Sequence, residues 1–193
     1  NKQKTTDHLS YRIMKMNFKF LGIFIFILIL NKSHAEEMIF GEEKIAPGIE
    51  IIFEAAPKDS IYPNNYFLAE SETDIHIEML ITWADESPTG SPVGGFIPYL
   101  NVEAIIENEN GNSKTVKLTP HLNITDNFHY AQNLKLPGDI DDSYNVSILI
   151  SPPSGIELGI HHDWKEKYGY LITKKVFTYD NLSFKEIALK SRR

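Results

Sequence analysis

From Gly48 onward the apolar residues come in short runs broken by Pro, Gly, Asn and Asp, and within several runs they alternate with polar ones. Tyr144, Val146, Ile148 and Ile150 bracket Asn145 and Ser147, for instance. A period of two belongs to a strand with one buried and one wetter face, whereas a helix repeats every three to four residues. The pattern predicts about seven strands, near residues 49–55, 74–82, 96–107, 114–118, 128–134, 144–151 and 170–179. Between the third and fourth, Asn110-Gly111 supplies the pair that a tight hairpin favours, since both residues tolerate positive φ. No segment repeats, and no amphipathic helix stands out before the C-terminus. The expected fold class is therefore all-β, an immunoglobulin-like or cupredoxin-like sandwich of about seven antiparallel strands.

The N-terminal part follows a different pattern. Lys19 precedes an apolar run over residues 20–30, which ends in Asn31-Lys32-Ser33-His34-Ala35. The run is short for a membrane span, and Ser33-His34-Ala35 offers small residues where a signal peptidase cuts, so residues 16–35 read as an export signal cleaved after Ala35. An uncleaved anchor is the alternative. Residues 1–15 are polar and precede Met16, a plausible initiator. The expected division is a presequence over 1–35, one domain over 36–180 and a basic tail over 181–193, read as a solvated end with a short helix as the alternative.

Export changes the charge picture. Residues 1–35 carry six of the 19 basic and one of the 26 acidic residues, so the remainder holds 13 basic against 25 acidic, a net charge of −12. Such a surface disfavours nucleic acid and gathers cations, although acidity also simply serves solubility. The chain has no cysteine. Thiolate ligands, disulfides and a lipid anchor on cysteine are thereby excluded, and any metal must be held by His, carboxylate or Met. No Gly-x-Ser-x-Gly elbow or phosphate loop occurs, which ranks hydrolase and nucleotide chemistry low.

Five histidines lie beyond residue 35: His76, His121, His129, His161 and His162. In Asp74-Ile75-His76-Ile77-Glu78, strand alternation sends His76 and Glu78 to one face and the isoleucines to the other. An imidazole and a carboxylate so placed can share an ion, or the carboxylate can orient the imidazole. His121 and His129 flank a polar connection that lets their rings converge. The His161-His162 pair follows Pro152-Pro153-Ser154-Gly155 in a loop, where metal sites are commonly built.

These segments resemble the periplasmic accessory proteins of bacterial high-affinity ferrous-iron uptake, a family whose relatives include a lactoferrin-binding treponemal lipoprotein. The resemblance is carried by Gly48-Ile49-Glu50-Ile51, Asp74-Ile75-His76-Ile77-Glu78, Gly95-Phe96-Ile97-Pro98-Tyr99-Leu100, His129-Tyr130-Ala131-Gln132-Asn133-Leu134, residues 144–153 and Leu158-Gly159-Ile160-His161. It implies an immunoglobulin-like homodimer in the periplasm, with a copper site near the subunit interface and a nearby iron-binding function, working beside an inner-membrane iron permease. His76, His129 and His161 match the family's metal histidines, and Glu78 its adjacent carboxylate. Glu50 matches a further motif position and is held as a second-site candidate, while His162 has no counterpart. One ligand departs from the pattern: where the family has Met after a proline, Thr119-Pro120-His121 offers His121. Imidazole in place of thioether makes the site harder and favours Cu(II), Zn(II) or Fe(II). The expected metal set is thus His76, Glu78, His121, His129 and His161, in a binding protein for copper and Fe(II), with zinc as a possible occupant. A copper-dependent oxidoreductase acting on ferrous iron and a non-catalytic interaction domain are the alternatives.

Overall fold

The computed structural model describes residues 37–153 and 157–191. The export signal read over residues 16–35 lies outside them. Eight strands run antiparallel to their neighbours: β1 (Met38–Ile45), β2 (Ile49–Pro57), β3 (Ile75–Trp83), β4 (Asn101–Asn108), β5 (Ser113–Leu122), β6 (Phe128–Leu134), β7 (Tyr144–Ser151) and β8 (Lys175–Leu182). Their order is β1-β2-β3-β6-β5-β4-β7-β8. Among the described residues there are also two short α-helices, α1 (His162–Tyr168) and α2 (Lys185–Leu189).

The sheet folds into two layers because β5 serves both. Its first half pairs with β4, from Lys114 to Leu118, and its second half pairs with β6, from Thr119 to Leu122. Pro120, which has no N–H to give a ladder, lies in the half that β4 no longer pairs. Between the layers sit Ile49, Ile51 and Phe53 of β2, Ile75, Ile77 and Met79 of β3, Val102 and Ile106 of β4, and the Tyr144, Val146, Ile148 and Ile150 series of β7. Each large apolar side chain buried there contributes about 1.5–3 kcal/mol.

The all-β sandwich is as the alternation indicates, and β6 and β7 keep their expected limits. Asn110-Gly111 forms the β4–β5 turn, with Gly111 at φ 82° and its N–H on the Asn108 carbonyl. Several elements correct the sequence reading. There are eight strands among the described residues, not seven, because β1 pairs with β2. A register shift between Ile39 and Gly41 breaks the period of two that would have marked β1. β4 starts at Asn101 rather than near Phe96, since Pro98 and a left-handed Tyr99 (φ 66°) interrupt the extended chain. α1 is a helix that no apolar period announces. Residues 181–189, read as the start of a solvated tail, are packed instead: β8 runs to Leu182, and α2 buries Ile187 and Ala188 next to the fully buried Phe184.

The last strand approaches the first. Tyr179 donates its hydroxyl to Glu43 (3.0 Å) and packs edge-on against Phe40, with ring centroids 5.4 Å apart. A Cβ on Gly41 would fall inside the Tyr179 ring, so only glycine permits this approach.

Candidate metal centre

The second face of β2, β3 and β6 is polar and yet buried. Alternation turns Ile75, Ile77 and Met79 into the core and leaves His76 and Glu78 on the opposite face, as the sequence indicates. Register then assembles neighbours for them: Glu54 lies across from Glu78, Asn133 across from His76, and Ala131 across from Glu78 on the other side. In the β5–β6 ladder, His121 lies across from His129. The whole group is covered, with His76 at 2%, Glu78 at 0%, His121 at 8% and His129 at 1% exposure.

His76, His121 and His129 each present one ring nitrogen within 4.8 Å of the others'. Their ring centroids are 5.4 Å apart for His76 and His121, 6.1 Å for His121 and His129, and 6.4 Å for His76 and His129. The Glu78 carboxylate stands between two of them, 3.5 Å from His76 Nε2 and 3.8 Å from His129 Nε2. His129 Nδ1 lies 3.2 Å from the Asn127 carbonyl. A carbonyl only accepts, so Nδ1 carries the hydrogen and Nε2 is left for the Glu78 side. Asn127 is left-handed (φ 62°), a conformation Asn tolerates.

His121 supplies the test of fit to a metal ion. Its Nε2 is 3.2 Å from Thr119 Oγ1, while its Nδ1 is buried with no hydrogen-bond partner. A buried nitrogen left so costs free energy unless something binds it. Burial, and then the neighbouring His129, lower the pKa of His121 from 6.5 to about 4, so the ring is neutral at pH 7. Thr119 Oγ1 can accept from an Nε2–H, and in that tautomer the buried Nδ1 holds the lone pair. Three imidazoles and a carboxylate form a donor set suited to a borderline transition metal.

Four of the five expected residues therefore meet, and one does not. His161 is exposed just before α1 and lines a separate cleft of about 740 Å³ with Trp83, Trp164 and Tyr168. It belongs to none of the His and carboxylate groups that could hold an ion among the described residues. His162 is exposed at the start of α1. Glu50 joins no such group either; it pairs at the surface with Lys44 at 2.8 Å.

Other residues join the centre without having been singled out. Asp126 groups with Glu78 and His129 within 4.8 Å, and Glu37 and Glu54 group with Glu78 on its other side. Asp126 is fixed by Asn123, whose Nδ2 donates to its Oδ2 and whose Oδ1 accepts its backbone N–H, both at 2.6 Å. Alternation along β6 could have found Asn133, since it shares a face with His129. Glu54 needed the β2–β3 register, which no local pattern gives.

A smaller cleft of about 340 Å³ leads from the surface to His76, His121 and His129, walled by Ile61, Tyr62 and Phe67 from the β2–β3 connection. Phe67 meets the His121 ring edge-on, 5.0 Å between centroids.

Known proteins share this fold and parts of the sequence. A UPF0423 protein of Brucella abortus (strain 2308) is 27% identical over 123 residues, 63% of this chain. The 34 kDa membrane antigen of Treponema pallidum (strain Nichols) is 35% identical over 98 residues, 49% of this chain. The chain spans 66% of the length of the Brucella protein and 47% of the treponemal one. Among solved structures, the copper-reconstituted P19 protein from Campylobacter jejuni superposes with a TM-score of 0.62 at 27% identity, covering 75% of this chain and 94% of its own. FetP of uropathogenic Escherichia coli strain F11 shares the fold, with a TM-score of 0.63 at 24% identity over 76% of this chain and 95% of its own. Residues 34–185 match the family described as Fe2+ transport protein, and the chain belongs to that family.

Proposed function

We propose that the protein is a periplasmic metal-binding accessory of high-affinity Fe(II) uptake, with a resident copper ion held by His76, His121, His129 and Glu78. The observation that carries this reading is the neutral, buried His121 Nδ1 without a hydrogen-bond partner, beside two further imidazoles and a carboxylate. Membership of an Fe2+ transport family and likeness to a copper-reconstituted protein support it. Copper supplies a one-electron couple when bound; the chain's own part is to orient the imidazoles, keep His121 neutral and limit water. Borderline nitrogen donors favour Cu(II) over Zn(II), with Fe(II) weakest, so iron is cargo rather than resident. The acidic surface gathers cations towards the protein.

His161 enters this reading through a second copy. It is exposed and lies outside the cluster of its own chain, and the family resemblance implies a homodimer with the metal near its interface. A partner's loop is the route by which an exposed imidazole reaches a buried cluster it cannot join within one chain. An inner-membrane iron permease is the proposed recipient of the cargo.

Metal analysis of protein isolated from the periplasm, followed by competition titrations with Cu(II), Zn(II) and Fe(II), tests the proposal. Bound copper and a Cu(II) affinity that collapses in His76→Ala and His129→Ala are expected. Protein isolated without a transition metal, with Cu(II) affinity equal in wild type and both variants, would refute it.

A further inference from the structure

Asn133 lies opposite His76 in the β3–β6 ladder, and the residue is 4% exposed. Its amide nitrogen lies 2.8 Å from the Asp59 carbonyl and 2.8 Å from the Leu68 carbonyl. Both partners only accept, so the two amide hydrogens are spent on them and the orientation of the amide is fixed. Asn133 Oδ1 then faces His76 Nδ1 at 2.8 Å. An amide oxygen cannot donate, so the hydrogen sits on His76 Nδ1, and in the neutral ring the lone pair is then on Nε2, the nitrogen 3.5 Å from Glu78.

The two carbonyls bound by Asn133 are not neighbours in sequence. Asp59 and Leu68 bracket the segment that carries Ile61, Tyr62 and Phe67, the wall of the cleft over the three histidines. One buried amide thus closes both ends of the covering segment and sets which nitrogen of His76 is offered to an ion. We propose that Asn133 is a positioning residue that couples closure of the 59–68 segment to the metal-ready tautomer of His76. This rests on the reading of His76 as a ligand given above. Coupling of this kind makes metal exchange slow while the segment is pinned, because the cleft is the path to the histidines and Phe67 packs on His121.

Three measurements on the full chain test it, the first two without metal. Imidazole 15N–1H correlation should find the wild-type His76 hydrogen on Nδ1, and hydrogen exchange should find protected amides within residues 59–68. In Asn133→Asp the carboxylate still accepts from His76 Nδ1 but has nothing to give Asp59 and Leu68. That variant should keep the tautomer, lose the protection, and release Cu(II) to EDTA about 10-fold faster. Asn133→Ala should lose the tautomer as well and weaken Cu(II) binding by about 10–100-fold. A wild-type His76 with its hydrogen on Nε2 would overturn the proposal even if neither variant folded. So would folded variants that release Cu(II) at the wild-type rate. If wild type binds neither Cu(II) nor Zn(II), the ligand reading fails, and the metal-free measurements still decide the role of Asn133.

Discussion

His121 and His129 are direct cross-strand partners, with ring centroids 6.1 Å apart, although seven residues separate them in the chain. Directly opposed residues of an antiparallel pair have Cβ atoms about 4.5–5.5 Å apart, so the ladder rather than loop flexibility brings these imidazoles together. The position that departs from the family's Met is thus a strand position of fixed direction.

Removing that imidazole should cost affinity for every divalent metal. His121→Ala is expected to weaken Cu(II) and Zn(II) binding at least about 100-fold, the upper range for losing even an outer partner. His121→Met should shift preference towards Cu(I), because a thioether is the softer donor. Competition titrations against chelators of known affinity measure both; an Ala variant that binds like wild type makes His121 a bystander.

The lowered pKa of His121 has a signature in stability. An unfolded chain protonates this ring near pH 6.5, whereas the folded chain leaves it neutral down to about pH 4. Between those values the unfolded state holds more protons, so stability is lost as pH falls from about 6.5 towards about 4. Thermal melting of metal-free wild type should therefore show a steeper acid decline than His121→Met, in which His76, His129 and Glu78 remain. Parallel curves would contradict the assignment.

Glu78 faces two imidazole nitrogens from a fully buried position. Glu78→Gln keeps its size and removes its charge, and is expected to lower Cu(II) affinity by about 10–100-fold with the β-sheet circular dichroism unchanged. An unaltered affinity would place the carboxylate outside the metal's influence.

The proposed partner contribution of His161 predicts a concentration dependence. Wild type should sediment as a dimer when loaded with Cu(II), and His161→Ala should bind Cu(II) more weakly than wild type only where wild type is dimeric. A loaded monomer at micromolar concentration, with His161→Ala indistinguishable from wild type, would exclude the second-copy reading.

Much of the site was legible in strand alternation. The period of two over Ile75-His76-Ile77-Glu78 puts the imidazole and carboxylate on the face away from the core, and that is where they lie. What alternation does not carry is that the second face is also buried. Part of that cover comes from the 59–68 segment, whose irregular sequence shows no period: Phe67 packs on His121, and Asn133 binds the Asp59 and Leu68 carbonyls. The bulge at Ile39 and Gly41 hid β1 for a related reason: one extra residue reverses the facing of everything beyond it. The tail looked solvated because Lys185, Lys190, Arg192 and Arg193 dominate its composition, while Phe184, Ile187 and Ala188 decide its packing.

The imidazoles and Glu78 occupy the side of β3, β5 and β6 that looks away from the apolar core. Donor atoms can then be exchanged without disturbing the contacts that hold the two layers together. A lineage can trade thioether for imidazole at position 121 while its apolar core stays as it was. On the proposed reading, metal preference in such a scaffold can change on a buried polar face that is separate from the apolar core.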